Sequence, residues 1–123
     1  MLKQLLFIGI GGGIGSILRY TVQWLLSRHT SMVFPAGTFI ANITGCFLIG
    51  LFYALAAKDN MLSMEWRLFL ITGICGGYTT FSSFSYENMM LLKQGYYLQF
   101  LLYAGLSVLL GLLATVGGMA AGK

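Results

Sequence analysis

Four long, predominantly apolar stretches dominate this sequence, and only short connections that hold most of the charges separate them. An α-helix needs about 20 such residues to cross the hydrocarbon core of a bilayer, which is about 30 Å thick. The stretches cover approximately residues 4–26, 35–57, 66–92 and 96–119. We therefore predict an all-α integral membrane protein that forms a single four-helix transmembrane domain over residues 1–123.

The scarcity of charge supports this class of protein. Charged residues make up 8 % of the chain, hydrophobic residues make up 58 %, and the mean hydropathy is +0.83. Soluble domains carry about 25 % charged residues, and disordered chains are poor in apolar residues, so the composition excludes both. The net charge of +4 includes no basic cluster beside aromatic residues, and we predict no nucleic-acid partner.

The positive charges leave the orientation in the membrane open. An excess of Lys and Arg near the span ends normally marks the cytoplasmic side. The two sides of the predicted bundle carry Lys3, Lys58, Arg67 and Lys123 against Arg28 and Lys93. A difference this small fits either an ordinary cytoplasmic N-terminus or a dual topology, in which copies insert in both orientations.

Small residues recur at a spacing that brings helices together. The recurrent sets are Gly9/Gly13 and Gly11/Gly15 in the first span and Gly37/Ala41/Gly45 in the second. Residues four apart share a helix face, and small ones let two backbones approach closely. Packing within one subunit explains most of these sets, but four helices enclose little space. The density of 17 glycines therefore favours two packed subunits.

The third span contains a poor helix-forming segment, in which Gly76 and Gly77 precede Tyr78 and two threonines, Thr79 and Thr80. Adjacent glycines and β-branched residues disfavour a helix interior, so we predict a break at about residues 76–80. Carbonyl groups released at this depth need a partner, and broken membrane helices use such carbonyls to coordinate Na⁺. The alternative is an unbroken helix with a packing pair of glycines.

Polar side chains within the spans indicate a buried polar pathway or helix–helix hydrogen bonds. In the second span, Thr38, Asn42 and Cys46 are four residues apart. The Asn42 amide can either bond a neighbouring helix or line a pore with its donors. After the predicted break, Phe81 and Phe84 share a helix face among hydroxyl residues, and the positive edges of aromatic rings attract anions.

Charged and hydroxyl residues extend this pattern. Tyr103 and Ser107 are four apart in the fourth span, whereas Arg19 and Glu87 are the strong charges within spans. The two charges either pair with each other or each line an aqueous mouth. We predict no enzyme, because the sole histidine, His29, lies in a connection and the three acidic residues are scattered.

Together these residues resemble the Fluc fluoride channels, also called CrcB-type fluoride exporters. The resemblance covers nearly the whole chain and is carried by residues 12–20, 37–42 and, above all, 73–85. It implies a dual-topology antiparallel homodimer in a bacterial-type cytoplasmic (inner) membrane. It also implies two pathways through which fluoride leaves the cell passively.

The resemblance further implies a role for individual residues. Asn42 matches the pore asparagine of the family, and Phe81 and Phe84 match its paired pore phenylalanines. The expected polar lining is completed by Thr38, Ser82, Ser83, Tyr103 and Ser107, with Arg19 in the vestibule and Glu87 near the pore. A structural Na⁺ that is not transported is expected at the dimer centre, on the backbone carbonyls of Gly76 and Thr79.

Two other classes of membrane protein compete with this prediction. A small multidrug-resistance-type, proton-coupled exporter shares the size and the number of spans, but it needs a carboxylate in the first span, which here carries Arg19 instead. A purely structural membrane subunit accounts for the glycines. It does not account for the run of threonines, serines and phenylalanines after the predicted break.

Overall fold

A computed structural model describes residues 1–29, 33–58 and 62–123, and the regular elements in these ranges are all helical. Residues 30–32 and 59–61, in the first two predicted connections, lie outside the described residues. The elements in chain order are α1 (Leu2–His29), α2 (Ala36–Ala57), α3 (Met64–Arg67), a π-helix (Leu68–Cys75), α4 (Gly76–Tyr78), α5 (Phe81–Lys93) and α6 (Tyr97–Ala121). The predicted all-helical class is confirmed.

Three of these helices, α1, α2 and α6, are long and apolar enough to cross a membrane. The remaining helical segment, residues 64–93, is interrupted and is called the broken span below. Ser63 is its N-cap, and the Ser63 hydroxyl accepts a hydrogen bond from Trp66 N at 3.3 Å. Arg67 donates from Nη2 to Ala56 O at 2.9 Å and so satisfies a carbonyl at the end of α2.

The turn between α5 and α6 is short and depends on one glycine. Gly95 has φ +82°, a conformation that glycine adopts without steric cost. Tyr96 N donates to Leu91 O at 2.9 Å, which closes the end of α5 in the usual glycine-terminated manner. Helix α6 therefore starts directly after α5 ends.

Two helix pairs form most of the packing, α1 with the first half of the broken span and α2 with α6. The first pair meets backbone to backbone: a Cβ placed on Gly11 would lie 3.0 Å from Gly73 Cα, and one on Gly15 would clash with Ile74 O. For Gly9 and Gly13, by contrast, such a Cβ would meet nothing within 4 Å in the described residues beyond the neighbouring backbone of α1 itself. Of the two predicted glycine pairs in α1, Gly11/Gly15 therefore packs against the broken span, and Gly9/Gly13 has no such contact in the described part of the chain.

The broken span changes its hydrogen bonding before it breaks. Gly76 N donates to Ile71 O, five residues back, at the end of the π-helix. The chain then makes one further helical turn and becomes extended at Thr79 (φ −87°, ψ 154°) and Thr80 (φ −149°, ψ 119°). The break lies within the predicted interval 76–80, at its C-terminal end.

Candidate functional site

The side chain of Asn42 holds the broken span at its break. Its Nδ2 donates to Thr80 O at 3.1 Å, and its Oδ1 accepts from Thr80 N at 2.8 Å. The amide thus pairs with both backbone groups of a single extended residue, which is what a β-strand neighbour would otherwise do. One N–H of the Asn42 amide is left after these two bonds.

Two backbone carbonyls near the break lose their helical donors. In a continuous α-helix, Thr80 N would bond Gly76 O and Ser83 N would bond Thr79 O. Instead, Thr80 N bonds Asn42, and Ser83 N donates to the Thr80 hydroxyl at 3.1 Å. These are the carbonyls of Gly76 and Thr79, the residues expected to hold Na⁺.

Arg19 covers a third carbonyl of the break. Its Nε donates to Gly77 O at 3.1 Å, which replaces the bond that Phe81 N would make in a continuous helix. Glu87 bonds elsewhere, so the ion pair between Arg19 and Glu87 that the sequence left open does not form. Arg19 therefore supports the break from the side of α1.

Aromatic rings line the start of α5. The centroids of Phe81 and Phe84 are 5.9 Å apart, and those of Phe84 and Tyr103 are 5.1 Å apart. Phe34 meets Tyr103 edge to face at 5.2 Å. Phe81 is 79 % exposed, whereas Tyr103 is fully buried. The cluster therefore runs from the surface of the subunit into its interior.

A chain of hydrogen bonds surrounds the Glu87 carboxylate. Thr38 Oγ1 donates to Glu87 Oε2 at 2.8 Å, and the Tyr103 hydroxyl donates to Oε1 at 2.8 Å. Gln23 Nε2 donates to Thr38 Oγ1 at 3.0 Å, so the single Thr38 proton is directed at the carboxylate. Both carboxylate oxygens are satisfied without a cation.

Two cavities contain most of the predicted pathway residues. One has a volume of about 330 Å³, and its lining includes Asn42, Phe81, Phe84 and Ser107. We call it the break cavity, because Thr79 and Thr80 also line it. The Ser107 hydroxyl oxygen in its wall is buried and has no hydrogen-bond partner within the described ranges.

The second cavity has a volume of about 520 Å³ and is called the entry cavity. Its lining includes Gln23, Ser27, Thr38 and Glu87, and it lies at the junction of α1 and α2. Tyr103 lines neither cavity, but its hydroxyl bonds Glu87 of the entry cavity and its ring packs against Phe84 of the break cavity.

Some predicted pathway residues do not join the others. Ser82 is exposed, and its hydroxyl lies 3.3 Å from the Thr80 hydroxyl, whereas Ser83 contributes its backbone N–H to the start of α5. Neither is part of the two cavity linings.

Sequence reasoning missed two groups that the structure brings to the site. Gln23 lies in a helix whose polar pattern gives no indication of a partner 15 residues away. Thr44 and Tyr78 form a hydroxyl pair at 2.8 Å beside the break. The position of Thr44, two residues after Asn42 in an apolar helix, was the one available signal.

Across residues 1–29, 33–58 and 62–123, no three His, Cys, Asp or Glu side chains gather as metal ligands.

These features define a class: a multi-pass helical membrane protein whose polar groups gather at a broken span. The chain belongs to the CrcB-like family, because the family model described as "CrcB-like protein, Camphor Resistance (CrcB)" matches residues 6–119. Family membership and the location of this multi-pass protein in a bacterial membrane are thereby confirmed.

Several relatives carry the same name, "Fluoride-specific ion channel FluC". The one from Flavobacterium psychrophilum is 48 % identical over 99 % of this chain and 98 % of its own length. That from Azobacteroides pseudotrichonymphae is 45 % identical over 96 % of this chain and 94 % of its own. The Bacteroides fragilis protein is 47 % identical over 95 % of this chain and 94 % of its own.

Proposed function

We propose that this protein is a fluoride-specific ion channel that exports fluoride passively across the cytoplasmic membrane and so lowers its toxicity. One observation carries the proposal: Asn42, Phe81, Phe84 and Ser107 line a single cavity. They do so in a chain that matches fluoride-specific channels over nearly its whole length.

The chemistry of the break cavity suits a small, strongly hydrated anion. The Ser107 hydroxyl has no partner among the described residues, and Asn42 keeps one N–H, so both offer donors to an incoming ion. The rings of Phe81 and Phe84 add weakly positive edges. Donors of this kind replace hydration water without a fixed positive charge, which would hold the anion too tightly for release.

We infer that fluoride passes from the entry cavity to the break cavity beside Tyr103. Thr38 and Glu87 line the entry cavity, and Tyr103 links Glu87 to Phe84 of the break cavity. The Thr38 and Tyr103 hydroxyls each use their only proton in a hydrogen bond to the Glu87 carboxylate. The carboxylate is therefore held in one position and does not act as a mobile proton carrier.

The driving force is the membrane potential. In acidic surroundings fluoride is protonated to HF, which enters the cell and dissociates there. The negative interior then drives the anion outward. The potential contributes about 2.3 kcal/mol per unit charge per 100 mV. An open pathway suffices for this, and the proposal includes no coupling to ATP or protons.

We propose that the functional unit is an antiparallel homodimer with two pathways. Phe81 is 79 % exposed in the single subunit, so it walls a pore only when a second surface covers it. Gly9 and Gly13 offer a further small-residue surface that this chain itself leaves uncovered. The weak charge bias between the two sides is consistent with dual topology.

A structural Na⁺ that is not transported is proposed at the dimer interface. The donor set fits, because oxygen ligands are available on the Gly76 and Thr79 carbonyls after their helical donors turn to other partners. Gly76 is exposed on the subunit surface, which lets carbonyls from two copies meet. The ion supplies a positive charge that satisfies these carbonyls at membrane depth.

The direct test measures fluoride efflux from liposomes that contain the purified protein, with a chloride gradient as the control. We expect fluoride efflux under an imposed potential and no chloride efflux. Proton exchange driven by a cationic drug, with no fluoride efflux, would instead establish the exporter alternative. That alternative is not favoured, because the first span contains no carboxylate.

A further inference from the structure

Tyr78, the last residue of α4, attaches the broken span to α2 directly before the break. Its hydroxyl lies 2.8 Å from Thr44 Oγ1. The Thr44 hydroxyl lies 2.7 Å from Ile40 O, its acceptor one turn back in α2. Because a threonine hydroxyl has only one proton, Tyr78 is the donor in the bond between the two helices.

The Tyr78 ring is also seated against α2. A Cβ placed on Gly45 would clash with the Thr79 methyl group and lie 3.2 Å from Tyr78 Cδ2, so the Tyr78 ring and the Thr79 side chain together pack against Gly45. Packing and hydrogen bond together fix both ends of the ring. The backbone of residues 76–79 therefore has a defined distance from α2.

Hydrogen bonds to α2 hold the broken span on both sides of the Thr79 carbonyl. Tyr78 bonds Thr44 on its N-terminal side, and Thr80 bonds Asn42 on its C-terminal side. Asn42 also lines the break cavity, whereas Tyr78 does not. The Tyr78–Thr44 bond is thus the attachment that orients the released carbonyls without forming part of the cavity lining.

We propose that the Tyr78–Thr44 hydrogen bond is a positioning contact that sets the affinity of the break for its cation. This inference rests on the structural Na⁺ of the proposed function. A cation bound by carbonyls depends on their preorganisation, since each carbonyl that must be ordered on binding reduces the affinity. Tyr78 and Thr44 supply that order before the ion arrives.

Tyr78→Phe keeps the ring and removes the bond. An ordinary hydrogen bond is worth about a fivefold change in an equilibrium constant. We therefore expect the Na⁺ concentration that gives half-maximal stabilisation to rise about fivefold. Thr44→Val should give the same shift, Thr44→Ser should restore the native value, and the double variant should add nothing to either single change.

The experiment measures the unfolding temperature of purified protein in detergent as Na⁺ replaces N-methylglucamine at constant ionic strength. Thr115→Val and Tyr53→Phe are the matched controls. Thr115 makes the same kind of bond within its helix, to Gly111 O at 3.0 Å, and packs against Gly50 of α2 rather than against the break. The hydroxyl of Tyr53 is on an exposed ring in α2. Both controls should keep the native midpoint.

A Tyr78→Phe midpoint equal to the native one, even with a lower unfolding temperature throughout, would overturn the inference, because it indicates an ordinary packing role. Native protein whose unfolding temperature ignores Na⁺ would overturn both this inference and the structural ion. Shifted Na⁺ midpoints in a protein that passes no fluoride in liposomes would support the inference and overturn the channel. The two failures are therefore distinguishable.

Discussion

The two halves of the broken span have neighbours of opposite character. The first half, residues 64–78, meets α1 through Gly11, Gly15 and Gly73, where backbone touches backbone and no added methyl group fits. The second half, α5, faces a cavity of about 330 Å³. Its neighbours there are the hydroxyl and amide groups of Ser107 and Asn42.

The difference shows how a small chain can be closely packed on one side of a broken span and still enclose a cavity on the other. Glycine contacts bring the first half so close to α1 that its position is fixed by sterics alone. The second half begins after two extended residues, and side chains rather than backbone determine its separation from α2 and α6. Substitutions in the first half should therefore change stability, and those in the second should change conduction.

The largest effect is expected from Asn42→Asp. A carboxylate cannot donate to Thr80 O, and a fixed negative charge at membrane depth costs about 3 kcal/mol and repels fluoride. We expect fluoride efflux to fall at least about 100-fold, measured in liposomes. Gln94→Glu adds the same charge in the exposed α5–α6 turn and should keep efflux. Native efflux in Asn42→Asp would show that the Asn42 side chain does not line the pathway.

Phe81→Ile should reduce efflux about tenfold, because an aliphatic side chain lacks the positive ring edge. Its counterpart is Phe69→Ile in the first half, where Phe69 meets Trp66 edge to face with ring centroids 5.8 Å apart. That variant should lower the unfolding temperature and leave efflux unchanged. Equal losses of efflux in both variants would show that the two halves of the broken span do not differ in their effect on conduction.

Gly15→Ala tests the close contact directly and should destabilise the protein by about 1–3 kcal/mol, because its Cβ would clash with the backbone of Ile74. Gly105→Ala in α6 is the control, since its Cβ meets nothing within 4 Å in the described residues and alanine favours the helix. Thermal unfolding in detergent measures both. Gly13→Ala, on the surface proposed to face a second copy, should also destabilise the dimer, and a neutral Gly13→Ala would show that Gly13 is not packed there.

The smallest effect is expected from Ser107→Ala, which removes one unpartnered donor from the break cavity. Efflux should fall about fivefold, the worth of one ordinary hydrogen bond. Thr115→Val on the same helix removes a hydroxyl that already bonds Gly111 O at 3.0 Å and should have no effect on efflux. Unchanged efflux in Ser107→Ala would mean that fluoride does not pass this hydroxyl.

Helix type and the approximate position of the break could be predicted, because both follow from local composition. Long apolar runs require helices in a bilayer, and Gly76, Gly77, Thr79 and Thr80 are poor helix formers whatever surrounds them. The partners of polar groups could not be predicted in this way. Gln23 reaches Thr38 only because the close approach of Gly37 to Gln23 Cα brings α1 against α2.

The π-helix was also beyond sequence reasoning, since its apolar residues fit an ordinary α-helix equally well. The π-helix contains the residue at which the broken span approaches α1 most closely, Gly73 beside Gly11, and this tertiary contact is not encoded in the local pattern. The spacing of Phe81 and Phe84 correctly predicts that they share a helix face. It does not indicate that Ser82 and Ser83 lie outside both cavities, because that depends on the neighbouring helices.

The π-helix has a consequence for the rotational phase of the residues that follow it before the break. A turn with bonds from residue i to i+5 takes up one residue more than an α-turn. Removing one residue between Leu68 and Cys75 would let this segment return to α-helical geometry, and a register change of one residue rotates a helix by about 100°. The eight π-helical residues thus act as an angular spacer within the first half of the broken span, which lets both Gly73 and Gly77 face α1.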